Sequence, residues 1–317
     1  MVDDEFTIID QYFSAIGWRS DLVALGPGDD CAVLKVPEGF ELCVSTDTLV
    51  SGVHFPTDCD GGMVARRAFA AAVSDLAAMG ASPYSFTGAL TMPGIDHTWL
   101  FPFSSELSRL SVEFEIPLVG GNLSRGELAL TFTVMGLVPP GQALRRSGAS
   151  VGDDVYVTGH PGDAGAGLLL LAQAGGEFPA LIDAYQSPQP RVKIGQQLRK
   201  IASAVIDVSD GLLADLKHLT DSSGVGAKVD VNKMPLSEEM LLFTSPGKAL
   251  SLALAAGDDY ELCFTANHSC RDQVEELVLS AGVAITRVGS IVDTPGIALF
   301  GEGVDALDLE HNGYQHF

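Results

Sequence analysis

The stretch Val44–Phe55, VSTDTLVSGVHF, is the part of the sequence that most constrains how the chain folds. Its first half has the period-two alternation and the β-branched residues of a strand. This predicted strand ends on three oxygen-bearing side chains, Ser45, Thr46 and Asp47. One carboxylate flanked by hydroxyls is a hard-oxygen cluster of the kind that Mg²⁺ or Ca²⁺ prefers. A plain strand end followed by a turn at Gly52 explains this stretch equally well when it is considered alone.

Similar acidic clusters recur at the predicted ends of other elements, each beside Gly, Ser or Thr. They are Asp29 and Asp30, Asp47, Asp75, Asp207 and Asp210, and Asp258 and Asp259. Each has a local alternative: Asp-rich turns bond their own backbone, and Ser209 or Asp210 could cap the helix that follows. The chain shows neither zinc-ligand spacing nor a Ser-His-Asp signature. Five such sites together therefore favour Mg²⁺ that shares its ligands with phosphates.

The net charge restricts the partners. The sequence has 18 Lys+Arg and 41 Asp+Glu, so 18 − 41 = −23. Such a surface repels nucleic acid and anionic membranes, so we expect neither as a partner. A nucleotide would need cations that bridge carboxylates to its phosphates. The adjacent Arg145 and Arg146 stand out in so acidic a chain, and they are either a solvated linker or a phosphate contact.

The cysteines and the N-terminus indicate where the protein functions. Five cysteines without a CxxC pair, several of them inside apolar runs, predict reduced, buried thiols and a cytoplasmic location. The N-terminal segment MVDDEFTIID lacks the basic and apolar pattern of a signal peptide. No apolar run reaches the ~18–20 residues that span a bilayer. We therefore expect a soluble, intracellular protein.

The 317 residues predict two domains, 1–140 and 141–317, divided after Pro139-Pro140. In the first, the pattern β-β-α-β-α-β-β predicts an α+β domain with helices on one face of a mainly antiparallel sheet. Leu128–Val138 is its clearest strand, and Gly120–Gly126 is predicted to be a glycine-rich turn. In the second, glycines at 159–167 open a Leu-rich helix. These glycines indicate either an anion-binding helix N-terminus or tight helix–strand packing. Their spacing matches neither the Rossmann nor the Walker motif.

Further elements are predicted from hydrophobic periodicity and breaker residues. The predicted helices are Glu5–Ile16, Gly61–Met79, Asp96–Phe114, Arg191–Ser203, Leu212–Asp221 and Gln273–Ala281, and helical segments are predicted to fill Ser237–Ala256. The predicted strands are Cys31–Val36, Tyr84–Met92, Leu118–Gly120, Asp154–Thr158, Ala204–Val208, Gly226–Val231, Tyr260–Thr265 and Ile285–Val292.

Seven strings, spread in order over essentially the whole chain, carry a family resemblance: GPGDDCAV, STDTLVSGVHF, SDLAAMGASP, GGNLSRG, IDVSDGLLADL, GDDYEL and GYQHF. Together they resemble thiamine-monophosphate kinases. The wider group is similar to aminoimidazole ribonucleotide synthetase, selenophosphate synthetase and the hydrogenase-maturation dehydratase, which lack the GVHF and GYxHF segments. The chain also lacks the catalytic Cys expected of the selenium and hydrogenase relatives.

The resemblance implies an aminoimidazole ribonucleotide synthetase-like α/β (α+β) fold in two domains. The sheet of the N-terminal domain would dimerise into a β-barrel, and the C-terminal α/β domain would complete the site in a homodimer. The implied reaction is ATP + thiamine phosphate → ADP + thiamine diphosphate, the last step of thiamine diphosphate biosynthesis. Transfer would be direct and in line, without a covalent nucleophile. The alternatives are another ATP-dependent synthetase of this superfamily and a non-catalytic Mg-nucleotide sensor.

The resemblance also assigns residues. Ligands to several Mg²⁺ ions would be Asp30, Ser45, Thr46, Asp47, Asp75, Asn122, Asp207 and Asp210. ATP would contact Gly121, Arg146 and Ser209, and thiamine phosphate would contact His54, Asp258 and Tyr314. The chain departs from the family at one of these positions, because Asn122 stands where the family motif GGDT has an Asp.

Overall fold

Two sheets with helices packed on them account for most of the chain, which we describe from a computed structural model that covers residues 4–173, 177–304 and 307. Contacts divide the chain into two compact units. The first is Met1–Leu76 with Ala81–Gly141, and the second is Ala77–Gly80 with Gln142–Phe317. The main division lies one residue from the predicted boundary. That each unit folds as an independent domain stays a prediction.

The first unit has three helices and six strands among its described residues. In chain order they are α1 (Glu5–Tyr12), β1 (Val23–Leu25), β2 (Val33–Leu34), β3 (Glu41–Val50), α2 (Gly61–Ala78, whose last two residues belong to the second unit), β4 (Ser82–Met92), α3 (His97–Glu113), β5 (Leu118–Arg125) and β6 (Ala129–Val138).

The main sheet of this unit has the strand order β3-β6-β4-β5, and only β4 and β5 run parallel. Phe69 of the Ala-rich helix α2 packs edge-on against Phe86 of β4, with ring centroids 5.9 Å apart. Phe86 in turn meets Phe132 of β6 at 5.4 Å. The core therefore lies between this face of the sheet and its helices, as expected for an α+β fold.

Two local predictions in this unit were wrong. Ser45, Thr46 and Asp47 are not at a strand end, because β3 continues to Val50 and hydroxyl pairs such as Thr48–Thr131, 2.8 Å apart, continue its pairing with β6. The segment 120–126 is not a turn, because all of it but Gly126 belongs to β5. A Cβ on Gly121 would lie 2.1 Å from the carbonyl oxygen of Gly88, so glycine is needed there for close strand approach.

The second unit has seven helices and six strands among its described residues, besides two short 3₁₀ turns. In chain order they are β7 (Asp154–Thr158), α4 (Asp163–Ala172), α5 (Pro179–Gln186), α6 (Val192–Leu198), β8 (Ala202–Val208), α7 (Leu212–Ser223), β9 (Gly226–Asp230), α8 (Glu238–Phe243), α9 (Pro246–Ala255), β10 (Glu261–Ala266), α10 (Arg271–Ala281), β11 (Ile285–Val292) and β12 (Gly296–Phe300).

The sheet of the second unit has the order β12-β9-β11-β7-β10-β8, and only β12 and β9 run parallel. Leu212, Leu216 and Leu219 of α7 are fully buried in its core, at the helical spacing that places them on one face. The prediction that helical segments fill Ser237–Ala256 is confirmed, because α8 and α9 both lie in this range. Ser245 caps a new helix there, and Pro246 occupies its first turn.

Other parts of the second unit differ from the prediction. The helix predicted to run to Ser203 ends at Leu198, and α5 and β12 were not predicted. In the described part of the chain, no helix is both long and apolar enough to cross a membrane.

Candidate active site

Three predicted metal ligands meet on the helix-covered face of the first sheet. Side chains alternate along β3, so Ser45 and Asp47 share this face, and α2 brings Asp75 to it. The Ser45 hydroxyl donates a hydrogen bond to Oδ2 of Asp75. Burial, followed by the negative charge of Asp75 and a hydrogen bond between the two carboxyl groups, raises the pKa of Asp47 to about 6.

This donor set fits a divalent cation. Two carboxyl groups this close repel each other when both are ionised, and a shared proton or a cation relieves the repulsion. Among the described residues, no group of three or more His, Cys, Asp or Glu side chains is arranged for a metal ion. Mg²⁺ does not require one, because it commonly takes one or two carboxylates and completes its shell with water and phosphate oxygens.

Thr46 and Asn122 lie on the opposite face of the same sheet. The Thr46 hydroxyl is 2.9 Å from that of Thr133. Asn122 of β5 is paired with Ala89 of β4, and Ala89 is paired with Thr131 of β6, so the three side chains lie on one face. Asn122 is thus three strand spacings, about 14 Å, from β3. The side chains of Thr46 and Asn122 therefore cannot join Asp47 and Asp75 around one ion.

Gly121 and Asp30 occupy different surroundings. Gly121 lines a narrow cavity of about 60 Å³ whose walls include Phe13, Phe103 and Phe132. Asp30 is exposed, in the turn before β2, where its backbone N–H donates to Oδ1 of Asp29 at 2.8 Å. The Asp29 carboxylate thus bonds the backbone of its own turn, which was the local alternative to metal binding.

His54 is held in a tight turn after β3. Gly52 has φ +77°, and the N–H of His54 donates to the carbonyl of Val50 at 2.9 Å. In return the N–H of Val50 donates to Nδ1 of the ring at 3.0 Å, so the neutral ring carries its proton on Nε2. The buried Arg67 donates to the His54 carbonyl at 3.1 Å. The turn therefore fixes a partly exposed imidazole whose Nε2 acts as a donor.

In the second unit, Asp207 is at the end of β8 and is 5% exposed. Ser209 and Asp210 form the turn that follows. Neither residue caps α7, because its N-cap is Gly211, with φ +112° and no side-chain hydrogen bond. The cap alternative for these two residues is thus excluded.

Asp215 is the functional candidate that sequence reasoning missed. Its Oδ2 accepts hydrogen bonds from the backbone N–H groups of Ser209 and Asp210, both at 3.0 Å. Burial raises the pKa of Asp215 to about 7, and the negative charge of Asp210 adds to this, whereas the two backbone hydrogen bonds and the charge of Arg146 oppose it. The available signal was an acid in the first turn of a helix that follows a Gly-containing loop.

The GDDYEL string contacts the same turn. The N–H of Asp258 donates to the carbonyl of Ser209 at 2.9 Å, and that of Tyr260 donates to the carbonyl of Val208 at 2.8 Å. Asp258 and Tyr260 have φ of +70° and +51°, in the left-handed region that non-glycine residues seldom adopt. Such strain is concentrated at functional sites. Ser209, Asp210 and Asp258 are therefore brought together, whereas Tyr314 lies outside the described residues.

The remaining two acids of this string have structural partners. The Asp259 carboxylate accepts hydrogen bonds from the N–H groups of Gly162 (2.7 Å) and Ala164 (3.3 Å), and burial raises its pKa well above the ordinary value. Glu261 accepts a hydrogen bond from Nε of Arg191 at 2.7 Å. An internal acid thus binds the N-terminus of α4, so the glycines before and in this helix serve packing and not an external anion.

Comparisons with known proteins show the family to which the chain is related. Residues 28–138 match the family of AIR synthase related proteins in its N-terminal domain, and residues 150–302 match its C-terminal domain. The thiamine-monophosphate kinase of Salmonella typhimurium is 44% identical over 323 aligned positions, which cover 100% of this chain and 99% of that protein. The kinase of Escherichia coli K12 is 42% identical with the same coverage.

Solved structures give the same result for the fold. The thiamine-monophosphate kinase of Stenotrophomonas maltophilia superposes with a TM-score of 0.86 at 41% identity, covering 90% of this chain and 93% of that one. AaThiL complexed with AMPPCP and TMP has a TM-score of 0.78 at 29% identity, covering 99% and 97%. The hydrogenase maturation protein HypE of E. coli, at 20% identity and a TM-score of 0.74, shares the fold.

Proposed function

The chain belongs to the thiamine-monophosphate kinase family, and we propose that it phosphorylates thiamine phosphate to thiamine diphosphate with ATP by a direct, Mg²⁺-dependent transfer. The main support for this reaction is the match to thiamine-monophosphate kinases along the full length of the chain. The relative complexed with AMPPCP and TMP supports ATP and thiamine phosphate as the two substrates.

The Mg²⁺ requirement is supported by the paired carboxyl groups of the first unit. Asp47 and Asp75 would hold one ion together with the Ser45 hydroxyl, and Asp30, Asp207 and Asp210 would serve further ions. Bound Mg²⁺ would neutralise the charge of the phosphates and align them for in-line attack. Thr46 and Asn122, on the opposite face of the sheet, would each need a different ion, because three strand spacings, about 14 Å, separate their strands.

The other assigned residues would bind and orient the substrates. Gly121 and Ser209 would contact ATP, and the Arg146 guanidinium would pair with its phosphate oxygens. His54 would donate from Nε2 to thiamine phosphate, whose other proposed contacts are Asp258 and Tyr314. No residue needs to act as a covalent nucleophile or as a general base, because a phosphate with a second pKa near 6 is mostly anionic at pH 7.

A coupled ADP-release assay with and without thiamine phosphate, followed by the mass of the product, tests this function. The expected result is ADP release that depends on thiamine phosphate and on Mg²⁺, with thiamine diphosphate as the product. ADP release that depends on an acid or amide substrate instead would identify a synthetase of the same superfamily. Nucleotide binding without turnover would identify a sensor.

We also propose a homodimer formed through the first sheet. The face opposite the helices leaves apolar side chains exposed, with Val44 at 59% and Leu42 at 42%, and β3 is an edge strand. Val44→Glu should therefore weaken association, which sedimentation velocity measures against Leu279→Glu, a change at an exposed leucine of the second unit. A wild-type protein that sediments as a monomer at assay concentrations would contradict the dimer.

A cytoplasmic location is likewise a proposal. It is supported by the state of the five cysteines, which are all free thiols and thus suit a reducing compartment. The prediction that these thiols are buried was wrong for all but Cys263. Fractionation of the native host, with an antibody against the chain, would test it.

A further inference from the structure

The turn Ser209–Asp210 is fixed from two sides by the backbone. Its two N–H groups both donate to one buried oxygen, Oδ2 of Asp215, at 3.0 Å. The carbonyl of Ser209 accepts from the N–H of Asp258 at 2.9 Å. Both N–H groups are therefore directed towards α7, and the side chains of this turn remain for contact with a ligand.

The same helix also holds the segment that carries Arg146. At the far end of α7, the Ser223 hydroxyl accepts from the N–H groups of Gly148 (3.1 Å) and Ala149 (3.2 Å). It also donates to the carbonyl of Arg146 at 3.3 Å. One rigid helix thus fixes the backbone of both segments that supply the proposed nucleotide contacts of this unit.

We propose that Asp215 is a positioning residue for the nucleotide site: its buried carboxylate orients the turn so that the side chains of Ser209 and Asp210 face Mg²⁺ and ATP. This inference rests on the proposed function. Asp215 is 3% exposed and lies under the turn, on the α7 side. The distance between α7 and the two N–H groups of the turn fits a side chain of the length of aspartate, which brings Oδ2 to 3.0 Å from both. Groups that orient metal ligands in this way commonly change metal affinity by ~10–100-fold when they are removed.

Three substitutions separate geometry from charge. Asp215→Asn keeps an accepting oxygen at the same distance but loses the charge. Asp215→Glu keeps the charge but displaces the oxygen by one methylene, and Asp215→Ala removes both. Asp221→Ala is the matched control, because this aspartate is on the same helix, is exposed and has its side chain paired with Lys217.

The first measurement is the affinity of each variant for Mg·AMPPCP by calorimetry, which does not depend on turnover. We expect Asp215→Asn and Asp221→Ala to stay within about threefold of the wild type, and Asp215→Glu and Asp215→Ala to bind ~10–100-fold more weakly. The KM for ATP should rise in parallel, with a smaller change in the KM for thiamine phosphate. A wild-type affinity in Asp215→Ala, or a weak Asn variant beside a wild-type-like Glu variant, would overturn the proposal.

The second measurement does not require that every variant folds. Amide hydrogen exchange of the wild type should show protection of the Ser209 and Asp210 N–H groups, and Asp215→Asn should retain it. Exchange of these two amides at unprotected rates in the wild type would overturn the inference by itself. If the wild type binds Mg·AMPPCP but forms no thiamine diphosphate, the proposed function fails while the positioning role is still tested by binding and exchange.

Discussion

Asp47 on β3 and Asp75 on α2 share a hydrogen bond between their carboxyl groups. The two carboxyl groups repel each other when both are ionised, so the pair is unfavourable without a cation. The same pair is well suited to binding a cation. A site of this kind reduces the stability of the free protein in exchange for binding. Substitutions in it should therefore have opposite effects on stability and on activity.

Asp47→Asn should leave the melting temperature without Mg²⁺ unchanged or raised, because one of two repelling charges is gone. It should remove the stabilisation that comes from the ion between these two carboxyl groups and reduce turnover by about 100-fold or more, as expected when a group that positions the reactants is lost. Calorimetry with and without Mg²⁺, together with the ADP assay, measures both effects. Glu127→Gln, a change at an exposed acid of the same unit, is the control. Turnover lost in proportion to folding would contradict the metal assignment.

The Arg191–Glu261 ion pair should matter for stability. Glu261 is 6% exposed, so Arg191→Leu would leave a buried carboxylate without its cation. We expect a loss of about 3–5 kcal/mol in the free energy of unfolding. Urea denaturation measures it, and the double variant with Glu261→Gln should recover part of the loss. Lys217→Leu breaks an exposed pair with Asp221 and should change stability by at most about 1 kcal/mol; equal losses in both single variants would contradict this account.

Asp154 should make stability depend on pH in the acid range. Burial alone would raise its pKa, but hydrogen bonds and charges from Arg271 and Arg287 outweigh burial and lower it. An acid with a lowered folded-state pKa stabilises the protein above its unfolded pKa of ~3.9, and this contribution is lost as the pH falls through the folded pKa. Asp154→Asn should thus be less stable than the wild type at pH 7. The loss should be only about 1 kcal/mol, because both arginines are partly exposed and solvent screens their charges.

The comparison of Asp154→Asn with the wild type is made by urea denaturation at several pH values between 7 and 3. The difference between the two proteins should be constant down to about pH 4.5 and then shrink, because only the wild type has this carboxylate to protonate. A difference that grows towards low pH would contradict the assignment.

The sequence was sufficient for the fold class and for most of the regular elements. β7 was predicted with its observed bounds, Asp154–Thr158, and β6 differs by one residue from the predicted Leu128–Val138. The errors arose where a residue type has two uses. The glycines at 120 and 121 were interpreted as a turn, but Gly121 serves the close approach of two strands, and nothing local to it distinguishes these two needs.

The candidate site was predicted as a list of residues without their grouping. Alternation along β3 was already sufficient to separate Thr46 from Ser45 and Asp47, because neighbouring residues of a strand point to opposite faces. The partners of Asp215 and Arg191 could not be predicted in this way. The Arg191–Glu261 pair joins residues 70 positions apart, and such pairings depend on the tertiary fold and not on local sequence.

Asn122→Asp should lower the Mg²⁺ requirement of the enzyme. The Asn oxygen can ligate Mg²⁺ but brings no charge, so the wild type should be active with a raised requirement. A contact strengthened by ~1.4 kcal/mol corresponds to about a tenfold lower half-saturating Mg²⁺ concentration. Turnover is measured against Mg²⁺ at fixed ionic strength, because screening also changes ion binding.

The position of Asn122 on the sheet provides the control. Ser124 lies two residues further along β5 and on the same face, so Ser124→Asp adds the same charge beside the site without the same geometry. If both substitutions lower the Mg²⁺ requirement equally, the effect is general electrostatics and Asn122 is not a ligand.

Because Asn122 and Asp47 lie about 14 Å apart on opposite faces, the effect of Asn122→Asp on Mg²⁺-dependent stability should be additive with that of Asp47→Asn to within ~0.5 kcal/mol. Strong coupling between the two positions would mean that one ion contacts both, which the sheet of a single chain does not permit.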